Sequence, residues 1–181
     1  LLQQTHSFRQ KQHPLHIHIM KKKNTYSMTI TTADNNPQLT LISTDADENE
    51  GPEIDLYRNS SSPADGDIIG KVVFNGEDDG ANSTTYADIR AISTDVSNGS
   101  EDGDITFGTR ADGTYAERLR IDSSGRLLIG TTTEGNESAD ELTVASSGNT
   151  GITIRSGTSS NASLFFSDAT SGADEYRGFV Q

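Results

Sequence analysis

The sequence predicts an all-β chain built of elongated repeats of short strands and hairpins. Three observations carry this expectation. Apolar residues recur at period two over short runs, and no stretch keeps i, i+3, i+4 spacing through three helical turns. Gly, Asn, Asp, Ser and Thr cluster between those runs, as tight turns require. Hydrophobic residues make up 31% of the 181, with no Trp, which is thin for a single globular core. So sparse an apolar set is buried in many short strands or between chains.

The charge narrows the function classes. With 27 acidic residues against 14 basic ones, the formal net charge is −13. Nucleic-acid binding needs a basic footprint to displace counterions, so it is not expected. Docking on an anionic membrane by charge is disfavoured for the same reason, and no run has the length of a transmembrane helix. The absence of Cys excludes a disulfide framework and thiolate metal ligation. No continuous apolar segment near the N-terminus reads as a signal peptide.

Residues 1–27 differ from the rest and are read as a disordered or non-native leader. They hold all four histidines (His6, His13, His16, His18) and the run Lys21-Lys22-Lys23, whereas the later sequence is acidic and rich in Gly, Ser and Thr. Met20 and Met28 are candidate starts. His16 and His18 alternate as on one strand face, but no third ligand stands at a useful spacing for a metal.

From Met28 the strand candidates follow in order: residues 28–31, 39–42, 54–58, 68–74, 86–92 and 104–107. Gly70 interrupts the run 68–74 and predicts a bulge or a close backbone approach. Next come residues 118–122 and 126–130, two alternating runs separated by Ser123-Ser124-Gly125, which predict a hairpin. Leu119 and Ile121 share one face of its first strand, Arg118, Arg120 and Asp122 the other, and Leu127 and Ile129 share a face of its second. Further strands are expected at 142–144, 152–154, 164–166 and 176–180. The domain reading is a leader (1–27), a β-repeat region ending in the hairpin (28–133), and the start of a further repeat (134–181). Internal echoes support repetition: Asp65-Gly66-Asp67-Ile68 recurs as Asp102-Gly103-Asp104-Ile105, and Thr85-Tyr86-Ala87 as Thr114-Tyr115-Ala116.

The string at residues 115–133, YAERLRIDSSGRLLIGTTT, resembles the ERLRIDSSGxxxIGTT unit of tail-fibre and related virion proteins of tailed bacteriophages, especially those of marine cyanobacteria. Residues 53–79 and 151–180 resemble the same family. The resemblance implies a virion structural protein, made in the host cytoplasm and carried in the phage tail. Its role would be a spacer or receptor-facing segment in host attachment, with no enzymatic activity. The implied partners are identical chains in a homotrimer, other tail or baseplate proteins, and a host cell-surface glycan or protein receptor. In that family the unit often precedes another repeat or a self-cleaving chaperone domain, so the chain reads as a fragment. The alternatives are a bacterial surface adhesin repeat and a glycan-degrading fibre. In the fibre reading, Phe107, Leu119, Ile121, Leu127 and Ile129 pack between three chains, and Arg118, Arg120 and Arg126 pair across chains with Asp122 or Glu117.

Chemical motifs are weak. Asp45-x-Asp47-x-Asn49 opens like a calcium loop, but Glu50 stands where Gly is needed and Leu56 where a bidentate Glu belongs. Glu77-Asp78-Asp79 reads as a solvated acidic turn. The pairs Asp65/Asp67 and Asp102/Asp104 lie two residues apart in turns, not at a spacing that would set them across a sugar. With every histidine in the leader, no Ser-His-Asp arrangement is available. No catalytic, cofactor or metal residue is assigned. Tyr57, Tyr86, Tyr115, Tyr176, Phe165 and Phe166 are candidates for stacking on sugar rings, with packing between strands the favoured role.

Overall fold

The computed structural model describes residues 16–22 and 25–164, with side chains from Met28 onward. The fold is all-β, and the described residues contain no helix. The chain divides into two compact units, Leu1–Asp55 and Leu56–Gln181.

In the first unit, β1 (His16–Lys22) and β2 (Thr25–Thr31) form an antiparallel hairpin, with Ile17 opposite Ile30 and Ile19 opposite Met28. β2 runs through the boundary expected at residue 27. The stretch that follows is irregular and held by its own side chains. Asp45 accepts from the amides of Ala46 and Asp47, and Asp47 from that of Asn49 at 3.0 Å. These carboxylates cap successive turns of their own backbone.

The second unit is one six-stranded sheet in sequence order: β3 (Asp67–Glu77), β4 (Ser83–Asp95), β5 (Asp102–Ala111), β6 (Thr114–Ile121), β7 (Leu127–Ile129) and β8 (Leu142–Val144). The first five form an antiparallel meander; β8 adds in parallel to β7. A parallel pair needs a long return, and residues 130–141 supply it without a helix. Its outer strand therefore lies beyond Thr133, so sequence on both sides of that residue shares one sheet.

Two of the register shifts in the ladder bear on the placement of side chains. The register shifts between Ile68 and Gly70, leaving Ile69 unpaired, as the interrupted run predicts. A Cβ at Gly70 would stand 2.8 Å from the Leu56 Cβ, so Leu56 packs where the strand lacks a side chain. A second shift leaves Arg118 out of the β5–β6 pairing: Phe107 faces Leu119, and Gly108 faces Glu117. The two Asp-Gly-Asp-Ile echoes open β3 and β5, and the two Thr-Tyr-Ala echoes lie near the starts of β4 and β6. Yet Gly66 has φ +84° in a turn, whereas Gly103 sits within β5.

Three expected strands are not formed. Residues 39–42, 54–58 and 152–154 are irregular. Alternation favours an extended chain, but a strand exists only where a neighbour supplies its hydrogen bonds. Pro37 and Pro52, which lack an amide donor, precede the first two. The segment at 54–58 instead attaches by side chains: Arg58 donates to the Ile68 carbonyl at 3.0 Å and pairs with Asp67 at 2.9 Å. Of the strand expected at 164–166, Leu164 is irregular, and its remainder and the strand expected at 176–180 lie outside the described residues.

Candidate functional site

Strand pairing sorts the second unit's side chains onto two faces of unlike chemistry. Directly opposite residues share a face. Lys71, Asp88, Arg90, Asp104, Thr106, Arg110, Arg120 and Leu128 therefore lie on one side. Val72, Phe74, Ile89, Ile105, Phe107, Leu119, Ile121, Leu127, Ile129, Leu142 and Val144 lie on the other.

The polar face is the better covered. Asp88, Asp104, Thr106 and Leu128 are buried, Leu128 at 1% exposure. Long side chains bind the two carboxylates. Arg120 binds Glu117 through two bonds of 2.8 and 2.9 Å and also reaches the Asp104 carboxylate, which accepts the Ser123 amide at 2.9 Å. These bonds, first of all those to Glu117, raise the Arg120 pKa. Asp88 receives Arg90 and the Tyr115 hydroxyl, and Arg90 donates to the Tyr115 oxygen at 2.6 Å. Burial pushes the Asp88 carboxyl up, but the hydrogen bonds from Tyr115 and Arg90 outweigh it and hold the pKa below the ordinary value. Burial and the bond to Asp88 raise the Tyr115 pKa. Tyr115 can lie flat here because β5 carries Gly108 beneath it: a Cβ there would stand 1.7 Å from the hydroxyl oxygen.

The RIDSSGRLLIG stretch (residues 120–130) is a second polar node. Asp122 accepts the amides of Ser124 and Arg126 at 3.0 and 2.9 Å, and the Arg126 Nε at 2.7 Å. The Gly125 amide donates to the Asp122 carbonyl, with Gly125 at φ +80°, closing a three-residue hairpin loop. Arg126 extends to Asp140 at 2.9 Å and so ties this loop to the return leading into β8. Gly130 has φ +73°, and a Cβ there would stand 2.3 Å from the Ala145 carbonyl oxygen, so this position admits only glycine.

The apolar face is open. Phe74 is 53% exposed, Val72 50% and Leu142 51%, and Ile105, Ile121 and Ile129 are also exposed. Leu56 reaches over its margin, walling a shallow groove of about 180 Å³ with Ile69, Val72, Ile89 and Ile105.

Against the sequence reading, Leu119, Ile121, Leu127, Ile129 and Phe107 do share one face. The arginines differ from expectation. Arg120 and Arg126 hold the expected Glu117 and Asp122, but within the chain, joined by Asp104 from β5 and Asp140 from the return into β8. Arg118, displaced by the bulge, donates to the Thr109 hydroxyl at 3.3 Å. The paired carboxylates hold turns: Asp65 accepts the Val96 amide at 3.0 Å, Asp67 pairs with Arg58, and Asp104 with Arg120. Asp78 accepts the amides of Gly80 and Asn82, each at 2.9 Å. Tyr57 is exposed, the Tyr86 hydroxyl donates to the Glu77 carbonyl at 3.3 Å, and Tyr115 is half-buried. Phe165, Phe166, Tyr176 and the side chains of His16 and His18 lie outside the described residues. The grouping of Lys71, Arg110 and Tyr115 was not visible in sequence, because it depends on the order of four strands, β3 to β6. No protein-family model matches the chain, and a search of curated proteins found no relative.

Proposed function

We propose that the chain is a structural segment of a bacteriophage tail fibre, non-enzymatic, in which three identical chains pack along their apolar sheet faces. The observation that carries this reading is the inversion of burial across one sheet: the polar side is covered, and the apolar side is left open. Fully burying a Val, Leu, Ile or Phe side chain stabilises by roughly 1.5–3 kcal/mol. Half-exposed residues such as Val72, Phe74 and Leu142 therefore gain about 1 kcal/mol each when covered. A second copy offers the same surface, and cyclic symmetry closes such an interface sideways while leaving the axis free for extension. The acidic surface keeps the assembly soluble. The phage assignment rests on the resemblance at residues 115–133, and the segment serves as spacer or receptor-facing part, next to other tail or baseplate proteins.

The test is the solution mass by light scattering. The expected value is three times the 19.4 kDa chain mass. Replacing Ile105 and Ile121 together by Lys is expected to give single chains with unchanged β circular dichroism. A monomeric wild type would overturn the trimer. Neighbouring genes without tail or capsid proteins would count against the phage assignment.

A further inference from the structure

The polar face carries a cup at its β3–β6 end. A cavity of about 260 Å³ opens there, lined by the polar side chains of Lys71, Thr85, Asp88, Arg90, Arg110 and Tyr115 and by apolar Val73. Three cationic side chains thus meet one carboxylate, on a chain whose overall formal charge is −13. That carboxylate is already occupied. Asp88 accepts from Arg90 at both oxygens and from the Tyr115 hydroxyl, and it is 4% exposed.

Among the described residues, the other two cations hold no carboxylate in a direct ion pair. Arg110 spends its Nε on the Thr85 carbonyl at 2.8 Å and its Nη1 on the Gly113 carbonyl. Those bonds fix the guanidinium without neutralising it. Lys71 acts on Asp88 electrostatically and, among the described residues, lies in no ion pair. By contrast Arg58, Arg90, Arg120 and Arg126 each hold a carboxylate within 3 Å.

We propose that this cup binds a small oxyanion, a carboxylate or phosphate group carried on a single sugar-sized molecule. Lys71 Nζ and the second terminal nitrogen of Arg110 are its donors, and the Arg90–Asp88–Tyr115 cluster is its rigid floor. Charge-assisted bonds from a fixed guanidinium and a mobile ammonium suit either group. The volume lies just below the roughly 300–1,000 Å³ of pockets for drug-sized ligands, which suits one monosaccharide. The floor is preorganised, because Gly108 lets Tyr115 rest on the sheet and Tyr115 in turn holds Asp88. The cup opens on the face opposite the proposed assembly surface, so occupancy does not depend on the oligomeric state.

The full chain, labelled with ¹⁵N, is titrated with glucuronate, glucose 6-phosphate and inorganic phosphate, with glucose as the neutral control. Saturable shifts at Lys71, Thr85 and Tyr115 are expected with at least one anion and not with glucose. Glucuronate alone assigns a carboxylate source, and the two phosphates alone a phosphate source. Lys71→Met, at an exposed site that leaves the fold intact, is expected to weaken binding about tenfold or more, and Arg118→Met to leave it unchanged. Three results would overturn the proposal: no saturable shift at about ten times a millimolar Kd, equal response to glucose, or equal loss in both variants. Each reads on the cup whether the chain proves trimeric or monomeric.

Discussion

Arg118 and Arg120 stand two residues apart, and alternation alone gives them one role. The structure separates them through a single bulge. Arg120 stays in register opposite Thr106 and lies on the covered face, where it neutralises buried Asp104 and holds Glu117. Arg118 is the extra residue, exposed, with one bond of 3.3 Å. Breaking a buried ion pair by removing one partner costs about 3–5 kcal/mol, whereas an exposed side chain away from such features changes stability by about 0.5 kcal/mol or less. Urea unfolding followed by far-UV circular dichroism should therefore show a large loss for Arg120→Met and almost none for Arg118→Met. Equal effects would mean that Asp104 is solvated or paired elsewhere. Leu128 teaches the same lesson. Period two places it with the arginines on a polar side, yet it is the most buried apolar residue described. The run Leu127-Leu128-Ile129 held the signal, since three consecutive apolar residues suit a strand covered on both faces. What the sequence could not supply was that the face carrying Leu128 is the covered one.

At the scale of the element, the hairpin of β6 and β7 was the most legible part of the chain, because its determinants are local. Asp122, Gly125 and Arg126 lie within five residues and make most of the loop's bonds to one another. The irregular stretches at 39–42 and 152–154 were misread for the opposite reason: pairing depends on distant sequence, and local alternation is silent about it. The loop also gives a pH signature. Burial pushes the Asp122 carboxyl up, but the Arg126 amide and guanidinium outweigh it, and its folded pKa lies below the ordinary value. A depressed carboxylate stabilises the fold fully above its unfolded pKa, about 3.9. That contribution is lost as the pH falls from there through the folded value. The urea midpoint should decline on acidification below about pH 4. Asp122→Asn should start lower at neutral pH and decline less steeply over that window. Parallel curves for both proteins would remove Asp122 from the acid response.

For the whole molecule, the question is what covers the apolar face, and stability can answer it independently of mass. A sheet one layer thick has no second layer to pack against. Here its polar side carries carboxylates bound by its own arginines and Tyr115, and its apolar side leaves Val72, Phe74, Ile105, Ile121, Ile129 and Leu142 exposed. All-β class was legible because thin hydrophobic content and period two are global properties. The inversion of burial was not, since it emerges only when six strands are ordered side by side. Association that stabilises the folded chain makes Tm rise with protein concentration. The wild type should show that rise over a hundredfold concentration range. Phe74→Ser separates the cases further. On a solitary sheet, Phe74 at 53% exposure has little burial to lose, and the substitution costs about 0.5 kcal/mol. Between packed chains it removes a contact from every copy at once, so Tm should fall most at high concentration and its dependence on concentration should flatten. A wild-type Tm independent of concentration, with Phe74→Ser lowering it equally at every concentration, would show that the face is not an interface between copies.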